Sequence, residues 1–148
     1  MSILADTITP TAKALRTKLI ADTVLATAIS TRCYLTAAPE TATLPYVVMI
    51  PQSSTETDPT HGDLSWQQQQ WDLYAVAATA DKANELTGMI SRILNDTILQ
   101  LGSDRKTLTL RRMATLPAQR IRLTDTTTTY NAAAMMMIGV PTSKGTNL

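Results

Sequence analysis

The sequence predicts an α+β fold: a mainly antiparallel sheet with two to three helices packed on one of its faces, in a single domain spanning residues 1–148. Three observations carry this reading. From Trp71 to Ala77 the residues Trp71, Leu73, Ala75 and Ala77 alternate with Asp72, Tyr74 and Val76, which is strand periodicity. Directly behind this strand, Ala83, Leu86, Met89, Ile90, Ile93 and Leu94 recur at helical spacing, with Thr79 placed to cap and Asp81 adding favourable charge to the first turn. After Gly102 the chain returns to strand-like segments, ending in the apolar run Met135-Met136-Met137-Ile138.

Each element follows in order. Thr9-Pro10 reads as a helix start, and Ala12, Leu15, Leu19 and Ile20 mark the buried face of a helix ending near Ala21. Asp22 can cap a short second helix through Ala28. Arg32 to Leu35 reads as a short strand, and Pro45 to Ile50 as a second one fenced by prolines. Residues 52–65, rich in Ser and Thr and containing Asp58-Pro59 and His61-Gly62, read as a loop. The long strand from Trp66 to Ala78 and the helix behind it come next. Thr107 to Met113 and Gln119 to Thr124 read as two strands, with Leu116-Pro117 between them as a bend or bulge. Tyr130 to Val140 is the last strand, central or covered on both faces. Residues 141–148 read as a loose polar tail.

Composition narrows the class. A chain of 148 residues, 44% hydrophobic, can bury a core without disulfides or metals. No apolar run is long enough for a transmembrane segment, and Met1 to Asp6 has no basic start of a secretory signal. The single cysteine, Cys33, can make no internal disulfide, which points to a reducing compartment.

Catalytic patterns are absent. His61 is the only histidine, and its one conceivable nucleophile partner, Cys33, is better read as a small buried hydrophobe. The five glycines are isolated, so no phosphate loop exists, and one His with one Cys leaves metal binding short of ligands. Asp58, His61 and Asp63 could gather at a loop tip, but a solvated loop explains them better. No catalytic residue, cofactor or metal is therefore assigned. Arg120 and Arg122 are too few to mark a nucleic-acid surface in a chain of net charge +1.

Charge is nevertheless segregated. Between Arg32 and Lys82 every charged residue is acidic: Glu40, Glu56, Asp58, Asp63, Asp72 and Asp81. Between Asp104 and Asp125 every one is basic: Arg105, Lys106, Arg111, Arg112, Arg120 and Arg122. The bland explanation, favoured for any single pair, is that the two segments are neighbouring strands of one sheet. The sharper one is that they form opposite faces of a subunit that meets copies of itself. Gln67 to Gln70 add a second oddity, because amides on both faces suit a strand arm (66–70) projecting beyond its own core. The candidate interface is thus Glu56, Asp58, Asp63, Gln67, Gln68, Gln69, Gln70, Arg111, Arg112, Arg120 and Arg122.

The order of particular elements goes further. A first helix leads into Asp22-x-x-Leu25-Ala26, then Arg32-Cys33-Tyr34, Pro39 and Leu44-Pro45-Tyr46-Val47-Val48. After a polar loop come Asp72-Leu73-Tyr74-Ala75 and the helix Asp81-Lys82-Ala83-Asn84-Glu85-Leu86. From about Thr9 to Val140 this order resembles the tail-completion proteins of long-tailed bacteriophages, also called tail terminators or head-tail joining proteins. Gln67 to Gln70 are more polar than that pattern leads one to expect. The resemblance implies a structural virion protein at the head-proximal end of the tail, assembled in the host cytoplasm. It implies a homo-oligomeric ring, typically a hexamer, that caps the tail-tube protein, stops its polymerisation and docks the head-tail connector proteins. Genome DNA would pass through the lumen without sequence-specific binding, and no membrane is involved. A neck or tail-tube subunit of the same virion is the nearest alternative, and a small enzyme or ligand-binding module unrelated to phage the distant one.

Overall fold

The structure is a computed structural model that describes residues 8–39, 41–57, 66–101, 105–107, 110–122 and 128–141. Helix α1 covers Ile8–Ala21 and α2 covers Thr23–Ile29. Asp22 caps α2 as expected, its Oδ1 accepting the amides of Val24 and Leu25 at 3.0 and 2.9 Å. Strand β1 is short, Cys33–Leu35, and ends where Thr36 turns to a φ of 70°, a region that a β-branched residue rarely adopts. It lies parallel to β2, with Tyr34 opposite Val48.

Strand β2 runs over Tyr46–Thr57, and this corrects the loop reading of residues 52–65. Its second half pairs residue by residue with the start of β3, Trp66–Ala77, after a register shift between Pro51 and Ser53. The ladder is made by main-chain groups, so the polar composition that suggested a loop did not prevent it. Residues 58–65, the remainder of that loop, lie outside the described residues.

Helix α3, Ala80–Leu94, follows with Thr79 as N-cap, its hydroxyl accepting the Lys82 amide at 3.2 Å. Its buried stripe is broader than the apolar pattern alone: Thr87 and Ser91 are buried beside Leu86, Ile90 and Leu94. A two-residue hairpin comes next, β4 (Gln100–Leu101) with β5 (Arg105–Lys106). The expected strand from Thr107 to Met113 is therefore not one strand. Instead β6 runs from Arg111 to Arg122, taking in the end of the first expected segment and Gln119 to Arg122 of the second, and Leu116-Pro117 opens a bulge that ends at Gln119. Strand β7, Thr128–Pro141, closes the fold.

The main sheet has the order β1-β2-β3-β7-β6, antiparallel except for β1 with β2. The fold is thus α+β, with β3 and β7 at the centre. All three helices lie on one face: α3 crosses β3, β7 and β6, while α1 packs on α2, α3, β1 and the small hairpin. Trp71, Leu73 and Ala75 from β3 join Met136 and Ile138 from β7, Leu15 and Leu19 from α1, and Leu86 and Ile90 from α3 in one core. Met135 and Met137 point the other way and are only half-buried, so the methionine run divides between the two faces as strand geometry requires. No helix among the described residues is long and apolar enough to cross a membrane.

Candidate functional site

The candidate residues fall in three places. Gln67 to Gln70 lie inside the sheet, bonded to β2 on one side, from Glu56 to Ser53, and to β7 on the other, from Val140 to Met137. The expectation of a strand end without a partner in its own subunit is therefore corrected. One of these amides is even part of the core. Gln69 has no exposed surface, and the indole N–H of Trp71 donates to its Oε1 at 2.8 Å. A buried indole N–H needs such an acceptor, which accounts for an amide at a core position.

Arg111, Arg112 and Arg120 lie on β6, the edge strand, with exposed side chains, and Arg122 ends that strand opposite Thr128. Glu56 lies on β2 opposite Gln67. Asp58 and Asp63 lie outside the described residues, as does His61. The bland reading of the charge segregation is also corrected, because β2 and β6 are not neighbours. Two strands separate them, about 14 Å at the usual spacing. Among the described residues the one ion pair is Lys82 with Glu85, 3.7 Å apart on the exposed side of α3, so the arginines of β6 make none there.

Strand β6 is held in shape from the helix layer. Asn95 Oδ1 accepts the amide of Arg112 at 3.0 Å, and Asn84 Oδ1 accepts that of Ala118 at 2.8 Å. These two amides lie at the register shifts between Arg112 and Ala114 and between Leu116 and Gln119. The asparagines thus satisfy main-chain donors of β6 beside its two irregular points. Nothing in the periodicity of α3 announced this role, since Asn84 and Asn95 read as ordinary solvent-facing residues.

The helix-free face of the sheet carries a group that the sequence reading passed over. Asp72 is only 6% exposed on that face, between Ile50 and Met135 on the flanking strands. Burial raises its carboxyl pKa, and hydrogen bonds from Gln70, Gln52 and Tyr74 partly offset the rise. Its Oδ1 has no partner among the described residues. Tyr74 is in turn raised by burial and by the Asp72 charge. Tyr34 and Tyr46 make an edge-to-face contact at 5.8 Å nearby. The alternation Asp72, Tyr74, Val76 was the available signal for this face.

Cys33 is buried as expected, 4% exposed, in the core. Burial pushes its thiol up to about 11 despite the Arg16 charge, so it is a protonated, unreactive thiol at neutral pH. Among the described residues no group of three or more His, Cys, Asp or Glu could hold a metal. A concavity between α1 and the segment 98–100 is lined by Thr9, Lys13, Lys18 and Ile98, with no acid, histidine or cysteine to do acid–base work.

The features that stand out are thus an exposed basic edge, a helix-free sheet face and a core built to hold them. The sequence model of the family described as tail completion protein gp17 matches residues 13–133, and the chain belongs to that family. It is a structural protein of the tail of a phage-type virion. Among solved structures, a chain of the virion of a native gene transfer agent particle has the same fold. Its TM-score is 0.71 at 18% identity, over 93% of this chain and 99% of that one. A second solved chain is more distant, with a TM-score of 0.53 at 13% identity over 92% of this chain and 96% of that one. No curated protein matches the sequence.

Proposed function

We propose that the chain forms a homo-oligomeric ring, a hexamer, on the last layer of the tail tube. There it ends tube polymerisation and presents a docking surface to the head-tail connector. The observation that carries this reading is the family match over residues 13–133. DNA passes through the lumen without sequence-specific contacts, and the chain performs no chemistry. The segregated charge supports contact between copies. Arg111, Arg112, Arg120 and Arg122 lie on an edge of the sheet, with Glu56 on a strand three places away. A ring requires this kind of two-patch, heterologous contact, and complementary charge orients it.

Electron microscopy of the purified chain, alone and mixed with tail tubes, tests the assignment. Single rings capping tubes of fixed length are expected, whereas open stacks of rings would identify a tube subunit. Complementation of a phage lacking its terminator tests the absence of chemistry. Cys33→Ala, His61→Ala and the double variant should keep the number of infectious particles within about two-fold, with stability lowered by about 1 kcal/mol through Cys33 at most. Loss of infectivity in His61→Ala with rings still formed would overturn the purely structural reading.

A further inference from the structure

We infer that the subunits of the ring join by strand pairing, the outer edge of β6 in one copy lying antiparallel against the outer edge of β2, from Pro51 to Thr57, in the next. This rests on the ring reading and specifies its interface.

The open edges of the sheet are few. Strand β1 borders β2 only as far as Leu35 opposite Met49, with one more bond from the Thr36 amide to the Met49 carbonyl at 2.8 Å. Beyond that point the side of β2 away from β3 has no strand beside it among the described residues. The outer edge of β1 is already closed. Its Cys33 carbonyl accepts Arg16 Nε at 3.3 Å, the Cys33 amide donates to the Thr31 carbonyl, and the Leu35 carbonyl accepts the Ala37 amide. An edge whose polar groups are satisfied does not recruit another strand. At the other side of the sheet β6 offers twelve residues, and from Arg111 to Pro117 every side chain is exposed, including Met113 at 49% and Leu116 at 41%. On β6 the Arg112 and Ala118 amides are taken by Asn95 and Asn84, so the usable edges are the stretch of β6 between them, Met113 to Pro117, and the far half of β2.

Charge selects which edges meet. Two β6 edges face to face would set Arg111, Arg112, Arg120 and Arg122 against one another, and like charges across a ladder destabilise it. The β2 edge has no basic residue between Pro51 and Thr57 and carries Glu56, with Asp58 and Asp63 next in the chain. Pairing β6 with β2 joins unlike patches, so the contact is heterologous and generates a ring when its rotation closes.

Direction agrees. Three antiparallel steps lead from β2 through β3 and β7 to β6, so β6 runs opposite to β2. Copies rotated about an axis along the strands keep their strand directions, and the new pair is antiparallel, the more stable arrangement. Level matching shows the geometry required. Pro51 is level with Arg112 through Trp71 and Met136, so pairing β2 along its whole free length needs β6 to slide by a few residues. Closed sheets have such a stagger as a rule. It is thus β2 that offers the free edge, while the glutamine strand beside it is interior.

The test uses single-cysteine variants of the full chain in a Cys33→Ala background, under mild oxidation, in solution and on tail tubes. Ser53→Cys and Thr55→Cys are mixed in turn with Thr115→Cys and Gln119→Cys. Disulfide-linked dimers are expected only in a β2-with-β6 mixture, and a chain carrying one of each should give a ladder ending at the ring number. Cross-links between two β6 cysteines, or none while rings are visible, would overturn the strand pairing. As a second measurement, Arg111→Glu with Arg112→Glu, the arginines that this slide of β6 brings level with Glu56, should raise the concentration for half-assembly by about ten-fold or more. Adding Glu56→Arg should recover part of that loss, and an absence of any recovery also counts against the pairing. Monomers only, for the unmodified chain even on tubes, is a distinct result that removes the ring reading itself.

Discussion

The two faces of β3 are built from one short stretch of sequence under opposite rules. On the helix side Trp71, Leu73, Ala75 and Ala77 have no exposed surface and pack on α1, α3 and β7. On the other side Asp72, Tyr74 and Val76 lie among neighbours on their own and the flanking strands, and no helix among the described residues covers them. The first face is where the fold's stability resides. The second lies outside the main core cluster, although Asp72 and Val76 on it are themselves largely buried.

The largest expected effect sharpens that contrast. Trp71→Ala should destabilise the chain by about 3–5 kcal/mol, combining lost burial with a cavity that the packed core cannot fill. Tyr74→Ala, three residues on and half-exposed, should cost less than about 1.5 kcal/mol. Urea unfolding of both variants checks this. Equal costs would mean that the helix-free face contributes to the core as much as the covered one.

A smaller effect separates two adjacent glutamines. Gln69→Ala removes the acceptor for the Trp71 indole and should cost about 1–3 kcal/mol, the range for leaving a buried donor unpaired. Gln68→Ala, on the opposite face and exposed, should stay within about 0.5 kcal/mol of the unmodified chain. The same unfolding experiment reads both. A negligible cost at Gln69 would show that the indole finds another acceptor, and the contrast between the faces would be weaker than the burial suggests.

What the sequence disclosed follows the same division. The covered side of β3, the Thr79 cap and the apolar stripe of α3 were legible, because periodicity records which residues face a core. Asp22 as a cap was legible for the same local reason. The continuation of β2 to Thr57 was not. Its partners are main-chain groups of Trp66 to Gln70, and Ser53, Ser54 and Thr55 have no apolar pattern to betray a ladder. Gln69 misled in the opposite direction: an amide looks solvent-facing until the Trp71 indole two residues away is seen to need it. Strand order was the deepest omission. Segregated charge was visible in the text, but that β3 and β7 separate the acidic strand from the basic one is a property of the topology, which no local pattern encodes. The interface candidates were accordingly placed by charge, while the choice of edge required the fold.

The smallest effect concerns Asp72, whose surroundings test how dry the helix-free face is. Only 6% of it is exposed, but it is covered by a single layer of side chains, and Gln52, Gln70 and Tyr74 donate to it. Its desolvation is therefore that of a shallow site. Because folding raises its pKa, the folded chain binds the proton more tightly than the unfolded chain does. The stabilising contribution of this group is thus complete below the ordinary carboxylate range and is lost as pH rises through the raised pKa. Asp72→Asn, neutral at every pH, should lack that loss. Its stability relative to the unmodified chain should improve as pH rises from strongly acid toward neutral, then level off. Urea midpoints of the two chains across that interval give the answer. If the variant instead falls behind as pH rises, the carboxylate has a cationic partner, and the helix-free face is not the uncharged surface it resembles.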